Sequence, residues 1–485
     1  MEWSNREIIY MKLPRIGISS FLLILSLTTL AQHQELNEQP AIWQEKSGKD
    51  SALAVRSLGD LFRKGTISGH FRSFILATSN EGALRDYQSW AIGGGIKLET
   101  APLHGFQAGI SGFFIYNLAG SDLSIPDPTT LQPNRYEIAL YDVEDPSNGS
   151  DLDRLEELFI RYRHKQTTLT LGKQLLNTPF INLQDGRMRP TEVEGFWAEW
   201  KAKKNWQAKG GFIYGISPRG TVRWFSVQES IGVYSMGVNE NGQRVNYAGN
   251  LHTKGIFLHS VQFQKNGFKG QWWNQFTHNL FNSSLLQIEQ EKKLSSGTLF
   301  AGAQWIRQDA VGTGDQTDPT KQYITRNWRS NVFGARMGWK NKLWESSLNY
   351  TRITKDGRYL MPREWGRDPF FTFLPRERNE GLGDVHAVVG KLQYQSPRQP
   401  LQATLAIGQY QLPDVLNYRL NKYGMPSYRQ LNIDLRYRFE RFWKGLDMQL
   451  LYVYKQGVGD THGSLRYVIN KVNMSQWNWV LNFQF

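Results

Sequence analysis

Gln476-Trp477-Asn478-Trp479-Val480-Leu481-Asn482-Phe483-Gln484-Phe485 closes the chain and decides how the rest is read. Trp477, Trp479, Leu481, Phe483 and Phe485 share one parity; Gln476, Asn478, Asn482 and Gln484 share the other, with Val480 the one exception. A period of two is a strand with one apolar and one polar face. The last residue is an aromatic with no polar tail after it. Soluble domains usually fray into water at their termini. A strand that closes a transmembrane barrel instead has lipid on one face and an aqueous interior on the other. The alternative on this stretch alone is an edge strand of a secreted sandwich.

The bulk composition agrees with the barrel. The chain has 485 residues, 17 Trp, 21 Tyr, 45 Gly and no Cys. A mean hydropathy of −0.51 excludes a helical membrane protein. It does not exclude a barrel, in which half of each strand faces water. Without cysteine the fold has neither disulfides nor thiolate metal sites. The formal charge is +14. No nucleic-acid module accompanies it, and in a barrel the same charge lines the lumen and attracts anions.

Met11-Lys12-Leu13-Pro14-Arg15 followed by the apolar run Ile16 to Leu30 reads as a secretory signal peptide cleaved after Ala31, with residues 1–10 an upstream extension. Residues 32–65 read as a flexible periplasmic lead-in carrying a short helix over Ser51 to Lys64. From Thr66 to the end only strand periodicity persists, for example Leu431, Ile433, Leu435 and Tyr437 against Asn432, Asp434, Arg436 and Arg438. Marking every such segment predicts an all-β fold, a transmembrane antiparallel β-barrel of about 18 strands over 66–485. The connections alternate in length. Short ones such as Lys165-Gln166 and Trp443-Lys444-Gly445 alternate with long ones at 119–153, 177–190, 218–249 and 356–382. Short periplasmic turns and long extracellular loops are the pattern of outer-membrane barrels. Trp272, Trp273, Trp339, Trp344, Trp477 and Trp479 are expected in the interfacial aromatic belts.

The third outer loop, counting the shorter one at 80–87, contains Asn177 to Pro190; it is bracketed by Pro179 and Pro190 and mixes Phe180, Ile181 and Leu183 with Asp185, Arg187 and Arg189. An exposed loop does not need those three apolar residues. A loop folded against the inner wall does, and its charged tip then narrows the pore. Asp185, Arg187 and Arg189 are the expected constriction. The inward parities of the strands supply a basic ladder: Arg72, Arg161, Arg163, Arg336, Lys391, Arg436 and Arg438. Arginine suits the task because its planar fork pairs with carboxylate and stays charged. Any polar lumen also contains arginines that only pair with neighbours such as Asp434 or Glu199.

The segment Gly172-Lys173-Gln174, Pro179, Asp185-Gly186-Arg187-Met188, Pro190 and Gly195 resembles the OprD family of outer-membrane porins. So does the opening from Gly65 to Phe74, with Arg85-Asp86-Tyr87 and Ala91 to Gly95. The C-terminal Phe485 is similar to the assembly signal of bacterial outer-membrane barrels. The resemblance implies a passive, substrate-selective channel in a Gram-negative outer membrane, with an inward third loop and a basic ladder, for small carboxylate-bearing solutes. It implies no cofactor, metal or catalytic residue. The expected partners are small-molecule solutes, outer-membrane lipid and the barrel-assembly machinery; a homotrimer is an assembly such a barrel admits. Three other readings stand beside it: a phosphate- or sulfate-selective channel, a barrel enzyme, and an adhesive barrel. The enzyme would draw on His278, Asn279 and Ser283 or on Asp460, His462 and Ser464.

Overall fold

The computed structural model describes residues 57–485 apart from Asp185, Lys203, Lys204 and Glu377. The signal-peptide reading and most of the lead-in therefore lie outside the described residues. The described part of the expected helix is α1 (Leu58–Arg63). Ser57 caps it, its hydroxyl accepting from the Asp60 amide at 3.1 Å. The helix meets the first short turn through the Ala101 amide, which donates to the Leu61 carbonyl at 2.9 Å.

Eighteen strands make one closed antiparallel wall. In chain order they are β1 (Thr66–Asn80), β2 (Tyr87–Glu99), β3 (Phe106–Gly120), β4 (Arg154–His164), β5 (Thr167–Gln174), β6 (Glu192–Lys201), β7 (Trp206–Ser217), β8 (Ile256–Lys265) and β9 (Phe268–Thr277). They continue with β10 (Phe281–Leu294), β11 (Gly297–Ala310), β12 (Arg329–Lys340), β13 (Trp344–Ile353), β14 (Val385–Gln395), β15 (Leu401–Gln411), β16 (Tyr428–Arg438), β17 (Leu446–Gly457) and β18 (Met474–Gln484). A two-residue bridge at Phe225–Ser226 pairs with the end of β7 inside the fourth long loop. Each wall strand pairs with its sequence neighbours, and β1 pairs with β18 from His70 opposite Gln484 to Asn80 opposite Met474. Full closure leaves no open edge, which a bilayer requires.

The closing seam extends one residue further. Gly69 and Phe485 exchange backbone hydrogen bonds, each 3.1 Å. The Phe485 ring lies across Gly69 so closely that a Cβ there would stand 2.0 Å from it. Glycine at 69 is what lets the terminal ring lie down on the first strand.

The predicted parities are observed on the named strands. Trp477, Trp479 and Phe483 are exposed on the outside, and Gln476, Asn478 and Asn482 are buried inside. Val480, the exception, packs in an interior cluster with Phe74, Leu76, Tyr136 and Ile138. The second loop brings that apolar patch into the lumen, so an apolar residue on the inner face of β18 has a partner. One belt assignment is corrected. Trp272 is exposed on the outside, but Trp273 is 3% exposed and packs in the larger interior cluster. Consecutive strand residues point to opposite faces, so two adjacent tryptophans cannot both face lipid. A strand boundary is corrected as well. The segment expected from residue 250 enters the wall only at Ile256, because Leu251 turns inward and is buried in that same cluster.

Candidate pore constriction

Two loops meet inside the wall. The third, residues 175–191, is tightened at Pro179 by Thr178, whose amide and hydroxyl both donate to the Ile181 carbonyl at 2.8 and 2.9 Å. Phe180, Ile181 and Leu183 are buried, the first two in the larger interior cluster. Asn182 clamps this loop to the seventh, residues 354–384. Its amide donates to the Trp365 carbonyl, its side-chain nitrogen to the Arg367 carbonyl, and its side-chain oxygen accepts from the Arg367 amide, each at 2.9 Å.

The seventh loop crosses from one side of the wall to the other on its own backbone carbonyls. Gln304 of β11 donates to Pro369 O at 2.7 Å, and the Tyr410 hydroxyl of β15 donates to Thr372 O at 3.0 Å. Gln430 of β16 donates to Pro375 O at 2.8 Å, and Lys455 of β17 to Arg376 O at 2.5 Å. The Arg376 guanidinium then reaches β18, where Gln476 and Asn478 accept from it. All these wall residues lie on inner parities. Sequence reading did not single out this loop as special. Its anchors are carbonyls, which leave no residue-type signal, and the side chains that hold it are scattered over five strands.

The expected site residues divide into three groups. Asp185 lies outside the described residues. Arg187 is buried; its Nη1 donates to Gly186 O at 2.7 Å, and its carbonyl accepts from Arg72 Nη1 at 2.6 Å. Arg189 sits behind the loop rather than at its tip, donating to Leu152 O at 3.2 Å and Thr221 O at 3.0 Å and facing Glu156 at 3.9 Å. Of the ladder, Arg72, Arg436 and Arg438 line the large central cavity. Arg161, Arg163, Arg336 and Lys391 are not among its lining residues. Arg161 faces Glu99 at 3.5 Å and Arg336 donates to Glu289 at 2.6 Å. Lys391 donates to Phe371 O at 3.3 Å, and Arg163 is exposed near the short-turn end of β4.

That cavity measures about 1650 Å³. Its lining runs from Pro400 and Arg438 at the short-turn end to Gly242 and Tyr418 in the long loops. Arg219 and Arg376, which the sequence did not flag, line it beside Arg187. Lys455 is a further inner-face cation on its lining. The described acids on the lining are Glu380 and Asp447. Glu380 pairs with Arg363 at 2.7 Å, and Asp447 accepts from Asn482 at 2.8 Å. Burial, and after it the Arg376 charge, push the Arg187 guanidinium well below its ordinary value. Burial and then Arg187 push Arg219 down to about 9, and burial and then Arg219 push Arg376 down to about 9. Arginine keeps its proton in proteins, so the depression marks burial first and, second, repulsion among neighbouring cations.

A closed antiparallel wall, apolar outside and polar inside, around a through-running cavity defines a transmembrane barrel channel. The family model described as outer membrane porin, OprD family, matches residues 135–363. Over those residues the chain matches the OprD family of outer-membrane porins, channels of the Gram-negative outer membrane that pass small solutes by diffusion. The solved structure of Pseudomonas aeruginosa OpdK with vanillate is similar at 12% identity and a TM-score of 0.66, over 88% of this chain and 99% of that one. Acinetobacter baumannii OccAB4 is similar at 16% identity and a TM-score of 0.67, over 87% of this chain and 98% of that one. Acinetobacter baumannii OccAB3 is similar at 13% identity and a TM-score of 0.68, over 87% and 99%. Comparison with curated proteins by sequence gives no match. The family consists of channels, not enzymes, so the enzyme reading of His278 or His462 falls with it. His462 instead lies between two acids, Asp414 at 3.0 Å and Asp460 at 3.5 Å.

Proposed function

We propose that this porin is selective for small anionic, carboxylate-bearing solutes. They pass through a basic lumen narrowed by the inward-folded third loop, with the seventh loop as the opposing jaw. The observation that carries this reading is the charge imbalance of the cavity lining. Arg72, Arg187, Arg219, Arg376, Arg436 and Arg438 all face the cavity, against two described acids that already have partners. In a narrow low-dielectric passage such an excess concentrates anions and repels cations. Successive arginines give a solute several sites, each weak enough to release it to the next. The vanillate bound in the OpdK structure is itself a carboxylate, which supports the solute class.

The test is the reversal potential of the full-length channel in a planar bilayer across a potassium chloride gradient, followed by titration with benzoate. Anion preference together with block by benzoate is the expected outcome. A cation-selective pore would overturn the proposal.

A further inference from the structure

Three guanidiniums come together at the tip of the third loop. Gly186 lies between two guanidiniums from other loops. A Cβ built on it would stand 3.4 Å from Arg219 Nη1 and 3.7 Å from Arg376 Nη1. Those two nitrogens are therefore no more than about 7 Å apart, a gap that anion oxygens at hydrogen-bond distance from each can bridge. The third guanidinium is next in the chain: Arg187 Nη1 donates to the Gly186 carbonyl at 2.7 Å.

All three cations are held by uncharged acceptors. Arg219 Nη1 donates to Gln184 O at 3.2 Å. Arg376 donates to the amide oxygens of Gln476 and Asn478. Among the described residues none of the three forms an ion pair, and the buried Nε of Arg187 and of Arg219 has no acceptor. Arg72 adds a fourth charge through the Arg187 carbonyl at 2.6 Å. Arg72, Arg187, Arg219 and Arg376 all line the central cavity. Three cations so placed repel one another strongly in a desolvated site. A monocarboxylate compensates one charge and offers two oxygens. A phosphoryl group carries about two charges and three acceptor oxygens, which suits three planar forks better.

We propose, resting on the anion-selective reading above, that Gly186, Arg187, Arg219 and Arg376 form one site for a compact dianion of the phosphate-monoester or phosphonate type. Gly186 is the position whose missing side chain leaves room for it. A larger solute then crosses this point with its dianionic end in the site.

Two ligands that share a phenyl ring separate this from the more general reading. Phenyl phosphate is a dianion at pH 8 and a monoanion at pH 5, since a phosphate monoester loses its second proton near pH 6. Benzoate is a monoanion at both. The full-length channel in a planar bilayer is titrated with each, and the readout is the ratio of the two blocking concentrations. Phenyl phosphate is expected to block at about tenfold lower concentration than benzoate at pH 8, a difference of about 1.4 kcal/mol, and to lose that advantage at pH 5.

Gly186→Ala should abolish the ratio, because its methyl group fills the space between Arg219 and Arg376. The contacts it would make, at 3.4 Å and beyond, are ordinary van der Waals contacts, so the loop can accommodate it. Arg219→Gln is the second variant and should weaken block by phenyl phosphate more than block by benzoate. Equal block by the two ligands at pH 8, or a ratio unchanged in both variants, overturns the dianion site and leaves the anion-selective pore standing. A cation-selective open channel overturns both.

Discussion

Two sets of inward cations use the same residue type to different ends. On β4 and β12, inward cations have acids close by: Arg336 meets Glu289 at 2.6 Å and Arg161 faces Glu99 at 3.5 Å. At the β1–β18 seam, the inner face of the last strand offers amides. Asn482 accepts from Arg72 at 2.6 Å, and Gln476 and Asn478 accept from Arg376. An amide fixes the geometry of a guanidinium without cancelling its charge. An acid fixes it and cancels it. Side-chain partners, more than the number of arginines, separate compensated cations from uncompensated ones. Arg436 is an intermediate case: it lines the cavity yet pairs with Asp434 at 3.0 Å.

The largest expected effect falls at the β1–β18 seam. We read Phe485 as the assembly signal. Deleting it, or changing Gly69→Val so that the ring cannot lie on β1, should abolish most heat-modifiable barrel on electrophoresis. Normal barrel formation in both variants would remove the terminal strand from its organising role. Next in size is Arg376→Glu. It places a carboxylate beside Arg187 and Arg219 and should lower the anion-to-cation permeability ratio about tenfold. Its counterpart, the pair Arg336→Gln with Glu289→Gln, removes both charges of a compensated pair. It should leave the ratio within about twofold, because the two charges already cancel. If the two experiments gave equal shifts, the separation of compensated from uncompensated cations would be wrong.

A smaller effect is expected from Asn478→Ala. It removes one acceptor of Arg376 and keeps every charge, so about 1 kcal/mol of restraint is lost. The open current should become noisier, with the permeability ratio nearly unchanged. A ratio that fell as far as in Arg376→Glu would mean that Asn478 itself touches the solute. The smallest effect belongs to Arg163→Gln, an exposed residue at the short-turn end, where no change in ratio beyond error is expected. A measurable shift there would extend the conducting path to the rim of β4.

Much of this fold is legible without coordinates. The alternation in 476–485 assigns an outside and an inside, and the same reading of β16 places Arg436 and Arg438 inside. Loop lengths separate the two ends of the barrel, and the apolar residues of the third loop mark it as buried. The differences have local causes. Residue type puts Trp273 in the belt, but parity turns it inward. Arg189 stands next but one to Arg187 in sequence, yet it donates to Leu152 O and Thr221 O. Nothing in the segments around Arg219 and Arg376 distinguishes them.

Alternation with period two is a property of neighbouring residues, so the sequence by itself determined a closed barrel, its two faces and its two ends. Whether a cation is compensated depends on what lies within a few ångströms. For Arg336 that group is 47 residues away, and for Arg376 it is about a hundred. Only the tertiary structure decided those distances. It carried the seventh loop across the lumen on backbone carbonyls and set Gly186 beside both Arg219 and Arg376, where Coulomb interactions act at close range in a desolvated site.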